Sequence, residues 1–183
     1  MTVVLSVDSS ELRRLVDGLT WLATEQRQKV LVRALNRTGD ATYTRTVRVV
    51  TDITGAQQKQ IRRELKKKRS SGASSPYVIH ARGPFTSLKA YRPVQRRAGV
   101  SAAPWKKRRL FPGTFIGPGG HVYRRKGEKR HPIVKLWGPA IPREMVSKVS
   151  LEAMHETIKT VFPARVLHET TRAIDQMKAR QGL

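Results

Sequence analysis

Apolar residues in "DSSELRRLVDGLTWL" recur at helical spacing, with Leu12, Leu15, Val16 and Leu19 on one face. Asp8 suits the N-cap and Glu11 the reciprocating position of a capping box, while Gly18 breaks or bends the helix. A longer helix is predicted from roughly Thr20 to Val50, where Leu22, Gln26, Val30, Ala34, Leu35, Thr38, Ala41 and Arg45 keep the period. Small residues toward its end suit close packing. "TGAQQKQIRRELKKKR" predicts a third helix, with a Thr54–Gln57 capping box and one narrow apolar edge of Ile61 and Leu65. "SSGASSP" is a flexible joint, and after it the period changes to two. "YVIHARG" sets Tyr77, Ile79 and Ala81 against Val78, His80 and Arg82, and "FTSLKAYRP" continues as a strand beyond the Gly83-Pro84 turn. The stretch "RPVQRRAGVSAAPWKKRRLFPG" has the composition of a loop. "HVYRRKGEKRHPIVKLWG" predicts a hairpin with arms His121–Arg125 and Arg130–Trp137 around Lys126–Lys129.

"LWGPAIP" must end that last strand, because Pro139 and Pro142 remove two backbone donors. It delivers the chain into a helix near Arg143, and Trp137 is expected to be largely buried at the corner, with Leu136 and Ile141 packing it or docking a partner. In the tail, Leu151, Met154, Ile158, Val161 and Phe162 form one stripe; Leu167, Thr170, Ile174 and Met177 form another. Pro163 between them predicts a kink or a fresh helix start. The expected fold is α+β: N-terminal helices, a small curved antiparallel sheet of about four strands with a basic hairpin, and a C-terminal helix. Residues 1–183 read as one such domain, without internal repeats.

Charge changes this picture in the middle of the chain. Residues 53–135 hold 22 Lys/Arg against 2 Asp/Glu, whereas residues 1–52 hold 8 against 6 and residues 136–183 hold 7 against 5. Nearly all of the formal net charge of +24 therefore lies in one segment. Such a surplus repels itself in isolation and favours a polyanionic or acidic partner. Candidate contacts are Arg62, Arg63, Lys66, Lys67, Lys68 and Arg69; Arg96 and Arg97; Lys106, Lys107, Arg108 and Arg109; and Arg124, Arg125, Lys126, Lys129 and Arg130. Tyr77, Tyr91, Trp105 and Tyr123 are interleaved with them. Most of these rings are expected to fill the sheet's inner face; Trp105 in "PWKKRR" is the exception and is a candidate for docking or stacking. Without an RNP, KH or zinc-finger pattern, contact with nucleic acid would be to phosphate and independent of sequence.

Catalytic patterns fail one by one. "HETIK" and "HETTR" begin like a zinc-protease helix, but Lys159 and Arg172 stand where the second histidine is needed. His80, His121 and His131 sit among cations, a poor setting for a metal. There is no cysteine for a disulfide, a thiolate ligand or a thiol nucleophile. "GPGG" lacks the Lys-Ser/Thr of a phosphate loop. No enzyme, cofactor or metal is expected. "MTVVLSVDSS" is too short and polar for a secretory signal, and no apolar run reaches bilayer length, so a protein used in cytoplasm or built into a particle there is expected.

Several stretches, taken in order, resemble the minor tail protein Z family, the tail completion proteins of long-tailed, lambda-like bacteriophages. They are "VRALNRTGDATYTRTVR", "ITGAQQKQIRR", "YVIHARGPFTSLKAY", "PVQRRAGVSAAPWKKRRLF" and "YRRKGEKRHPIVKLWGPAIPREM". The resemblance covers roughly residues 20 to 180, and its most specific piece is the arginine-rich strand leading into "LWGPAIP". It implies a non-enzymatic virion protein at the head-proximal end of the tail, assembled in the host bacterial cytoplasm. It also implies a homo-oligomeric ring around the DNA channel, of open stoichiometry with a hexamer as one candidate. The implied neighbours are the tail terminator, the tape measure and the head–tail connector, with sequence-independent DNA contact through the basic segment and no membrane. The contrasting expectation from charge alone is a free nucleic-acid-binding protein.

Overall fold

Threonines shape the first long helix, α1 (Thr24–Thr54). Thr42, Thr46 and Thr54 are buried, and each donates its hydroxyl to the carbonyl four residues back, at 2.6–2.9 Å. This local bond satisfies a group that burial would otherwise strand. The helix ends where Gly55 takes φ +72° and its N–H bonds to Thr51 O, the left-handed cap that glycine adopts without steric cost. The structure, a computed structural model, describes residues 2–5, 24–72 and 75–181. The first expected helix, with its Asp8–Glu11 cap, lies outside these residues, as do Thr20 and Leu22 of the second.

The α+β class holds: long helices lie toward both ends of the chain, with small antiparallel sheets between them. The predicted third helix is shorter than its sequence pattern. It runs only from Gln58 to Glu64 (α2), and "LKKK" forms strand β2 (Leu65–Lys68). Leu65 is fully buried with extended backbone, so the chain turns out of the helix there. The expected capping box does not form: the Thr54 hydroxyl bonds Val50 O and receives Ala56 N–H, and Gln57 makes no side-chain cap.

Where the pattern gives about four strands, the described residues contain nine, in three three-stranded sheets. The first has the order β1 (Thr2–Leu5), β3 (Tyr77–Ala81), β2. The second is β4 (Val94–Arg96), β5 (Gly99–Ala102), β6 (Arg109–Pro112), all within the stretch expected to be loop. The third is β7 (Thr114–Ile116), β8 (Val122–Arg125), β9 (Ile133–Lys135). A basic hairpin forms with shorter arms than expected, β8 and β9: Arg125 stands opposite Ile133, so Arg130–Pro132 belong to the loop, and His121 and Leu136 lie outside the strands. The expected strand "FTSLKAYRP" is a single bridge, Ser87 to Trp137, followed by a 3-10 turn at Leu88–Tyr91. Helix α3 (Ile141–Met145) follows the proline corner with Pro142 in its first turn, as expected. Pro163 neither ends nor restarts the last helix, α4, which spans Lys148–Gln181. Phe162 and Val166, on either side of Pro163, are buried with Val30 and Ala34 of α1, and this burial outweighs the missing backbone bond.

The chain divides into two compact units. Among the described residues, the first comprises 47–66 and 81–150; the second comprises 2–5, 24–46, 67–72, 75–80 and 151–181. In the first, α2 packs on α3, and Ile61, Leu88, Tyr91, Ile141 and Met145 are buried. In the second, the Val30–Ala34–Phe162–Val166 cluster joins α1 to α4, and Tyr77 lays its ring directly on Gly39. No helix among the described residues is long and apolar enough to cross a membrane.

Candidate polyanion-binding surface

The first unit holds 22 of the chain's 37 Lys/Arg against 4 Asp/Glu. Its two sheets are stitched together by polar side chains. The Thr114 hydroxyl receives Val100 N–H at 2.9 Å and donates to Phe111 O at 2.6 Å, and the Gln95 side-chain oxygen receives Ile116 N–H at 2.9 Å. These bonds bring β4–β6 beside β7–β9 and gather three of the four basic clusters, 96–97, 106–109 and 124–130, into one body.

Register decides which side chains share a face. Phe115, Tyr123 and Lys135 stand opposite one another across β7, β8 and β9, with Arg125 on the same face of β8. The Phe115 and Tyr123 rings are 6.1 Å apart, Arg125 lies 5.6 Å over Phe115, and Lys135 lies 4.5 Å over the Trp137 ring. The row is half-buried; on the opposite face Thr114 and Val122 are buried, while Arg124 and Val134 are exposed. His121 extends the row: Nδ1 is 2.9 Å from the Ser87 hydroxyl, and the ring meets Tyr123 edge-on. Desolvation first, then the Lys135 and Lys89 charges, lower the His121 pKa below the usual value.

Sequence candidates fall into three groups. Arg96, Arg97, Lys107, Arg124, Lys126, Lys129 and Arg130 are exposed and have no carboxylate partner among the described residues. Arg62, Arg63 and Lys66, likewise exposed, lie on α2 and β2 of the first unit. Others are occupied within the fold. Lys106 pairs with Asp52 at 2.7 Å, and Arg108 bonds the Ser101 hydroxyl and carbonyl. Arg109 lies 5.6 Å over Trp105, whose indole N–H reaches Glu144 at 3.2 Å. Trp105 and Lys106 both hold positive φ, so acid pairs anchor a strained turn there. Lys67 and Arg69 belong to the second unit, where both bond Asp40; Lys68 is exposed on β2 in that unit. The single basic helix expected from 62 to 69 is thus distributed over a helix, a strand and two units.

The "LWGPAIP" corner corrects another expectation. Trp137 is 48% exposed. Strand alternation turns it outward beside Lys135, and the inward position goes to Gly138, where a Cβ would stand 2.7 Å from the Tyr91 ring. Ile141 is fully buried and Leu136 partly so; they fill the corner that Trp137 leaves. Tyr77 and Tyr91 are buried as expected, and burial pushes the Tyr91 hydroxyl up to about 12. Phe115 and Lys135 were not singled out from sequence, because only the β7–β8–β9 register places them beside Tyr123. Among the described residues no group of His, Asp and Glu could hold a metal ion. Comparison of the chain with protein-family models, curated proteins and solved structures gives no match.

Proposed function

We propose that this chain is a structural, non-enzymatic protein that docks on a polyanion or an acidic neighbour through the stitched basic sheets of its first unit. The observation that carries the reading is the set of exposed arginines and lysines at 96–97, 107, 124–126 and 129–130, none with a carboxylate partner among the described residues. A surface so charged is costly unless an opposite charge meets it. The ordered resemblance described above supplies the setting: the head-proximal end of a long phage tail, in a ring around the DNA channel, beside the terminator, tape measure and connector. The second reading, a free nucleic-acid-binding protein, draws on the Phe115–Tyr123 row and half-exposed Trp137, which offer stacking surfaces to unpaired bases.

Replacing Arg124, Arg125, Lys129 and Arg130 together with Gln tests the docking surface. Binding to mixed-sequence duplex DNA, measured over a salt series, is expected to weaken more than tenfold near physiological salt, with the log–log salt slope shallower by about 0.9 for each phosphate contact removed. Wild-type affinity and slope in this variant would refute the assignment. Loss of single-strand but not duplex binding in Tyr123→Ala would favour the second reading.

A further inference from the structure

A cavity of about 420 Å³ in the second unit has no residue of the basic sheets in its lining. Arg33, Arg37 and Asp40 reach it from one face of α1, Arg69 from the segment after β2, and Glu169 and Arg172 from one face of α4. The fold has already satisfied part of this set. Asp40 accepts from Lys67, Arg69 and Tyr77 through its two oxygens. Asn36, also in the wall, exchanges two bonds of 2.9 Å with the Ser70 backbone. Arg33, Arg37 and Arg172 remain without an acceptor among the described residues. Glu169 is nearly fully buried, with one carboxylate oxygen unpaired and the other 3.8 Å from His168 Nδ1.

We infer that this cavity is a binding site for a phosphate-class dianion. Three guanidinium groups and one carboxylate leave a charge of +2 that the fold does not balance, and a tetrahedral dianion balances it. Guanidinium forks suit such an anion because they donate in pairs to two of its oxygens. The walls come from three separate segments, α1, the stretch after β2 and α4, and the Val30–Ala34–Phe162–Val166 cluster fixes α1 against α4. Glu169 also lines this space, but its buried carboxylate bonds none of the three guanidinium groups. The site is independent of the proposed docking surface, whose cations lie in the first unit.

Inorganic phosphate is the probe, titrated into the whole protein against sodium chloride at matched ionic strength and followed by calorimetry. A saturable one-site isotherm beyond the chloride control is expected. Arg37→Gln/Arg172→Gln should weaken it by about tenfold for each guanidinium lost, while Arg124→Gln/Arg125→Gln on the basic sheet should leave it unchanged. Both variants change exposed side chains, so circular dichroism should show a wild-type fold. Glycerol phosphate and a phosphoserine peptide then tell whether the dianion comes on a small molecule or on a protein; binding of either supports the site. Heat no greater than that of chloride, or an isotherm unaffected by the Arg37/Arg172 changes, would overturn it.

Discussion

Gly99→Ala is expected to cost about 4 kcal/mol. Gly99 opens β5 after the two-residue turn from β4, pairing with Arg96 on one side and Pro112 on the other. Its φ is +146°, which L side chains rarely adopt, and an added Cβ would stand 2.1 Å from the Phe111 carbonyl oxygen. That oxygen is backbone and already receives the Thr114 hydroxyl, so it cannot move aside without loosening the stitch between the second and third sheets. At this chain length such a loss lowers the melting temperature by about 10 °C. A thermal melt checks it, and polyanion binding should fall with it because the β4–β6 cations lose their frame. A melt within two degrees of wild type would show that the turn has another conformation.

Asp40→Ala carries the second large effect, in the other unit. Asp40 accepts from the Tyr77 hydroxyl at 2.9 Å, from Lys67 and from Arg69, tying α1 to the chain around β3. Truncation leaves the hydroxyl of an otherwise buried tyrosine without its acceptor and removes two part-exposed ion pairs. Together these are worth about 3 kcal/mol. Burial alone would raise the Asp40 pKa, but hydrogen bonds from Arg69, Lys67 and Tyr77 outweigh it and hold the carboxyl below its ordinary 3.8. The folded-state pKa is depressed, so the stabilisation is complete above the unfolded value and disappears as pH falls through the folded one. Denaturant unfolding should therefore show a constant gap between wild type and variant near neutrality, shrinking as pH falls below about 4. A gap that persists undiminished in acid would assign the loss to packing alone.

Much of the helical frame was legible because long amphipathic segments repeat one period many times. Ala34 and Thr38 announced a close-packed face, although Gly39, where Tyr77 settles, was not among the residues read. The sheets were harder. "LKKK" offers no alternation to betray a strand, since β2 lies at a sheet edge, where lysines discourage further pairing. The stretch 92–113 resembled loop because Val100 and Ala102 are small and β4 and β6 are short and largely exposed. Their pairing arises from a two-residue turn and from Thr114 and Gln95, which carry no signal in a linear pattern. Of the site, the cation clusters were plain from composition. Which cations are engaged within the fold, as Lys67, Arg69 and Lys106 are, depends on Asp40 and Asp52, distant in sequence. Trp137 was misread because a large ring beside a proline corner suggests burial, whereas strand parity turns it outward and leaves Gly138 on Tyr91.

As proposed above, this protein is a built-in part of a phage tail. Mass spectrometry of gradient-purified particles, from cells in which the chain is expressed with its own phage genes, tests it most directly. Peptides of this protein are expected in a fixed ratio to the tail proteins, retained through high-salt washing. Fully infectious particles that lack it would rule this role out.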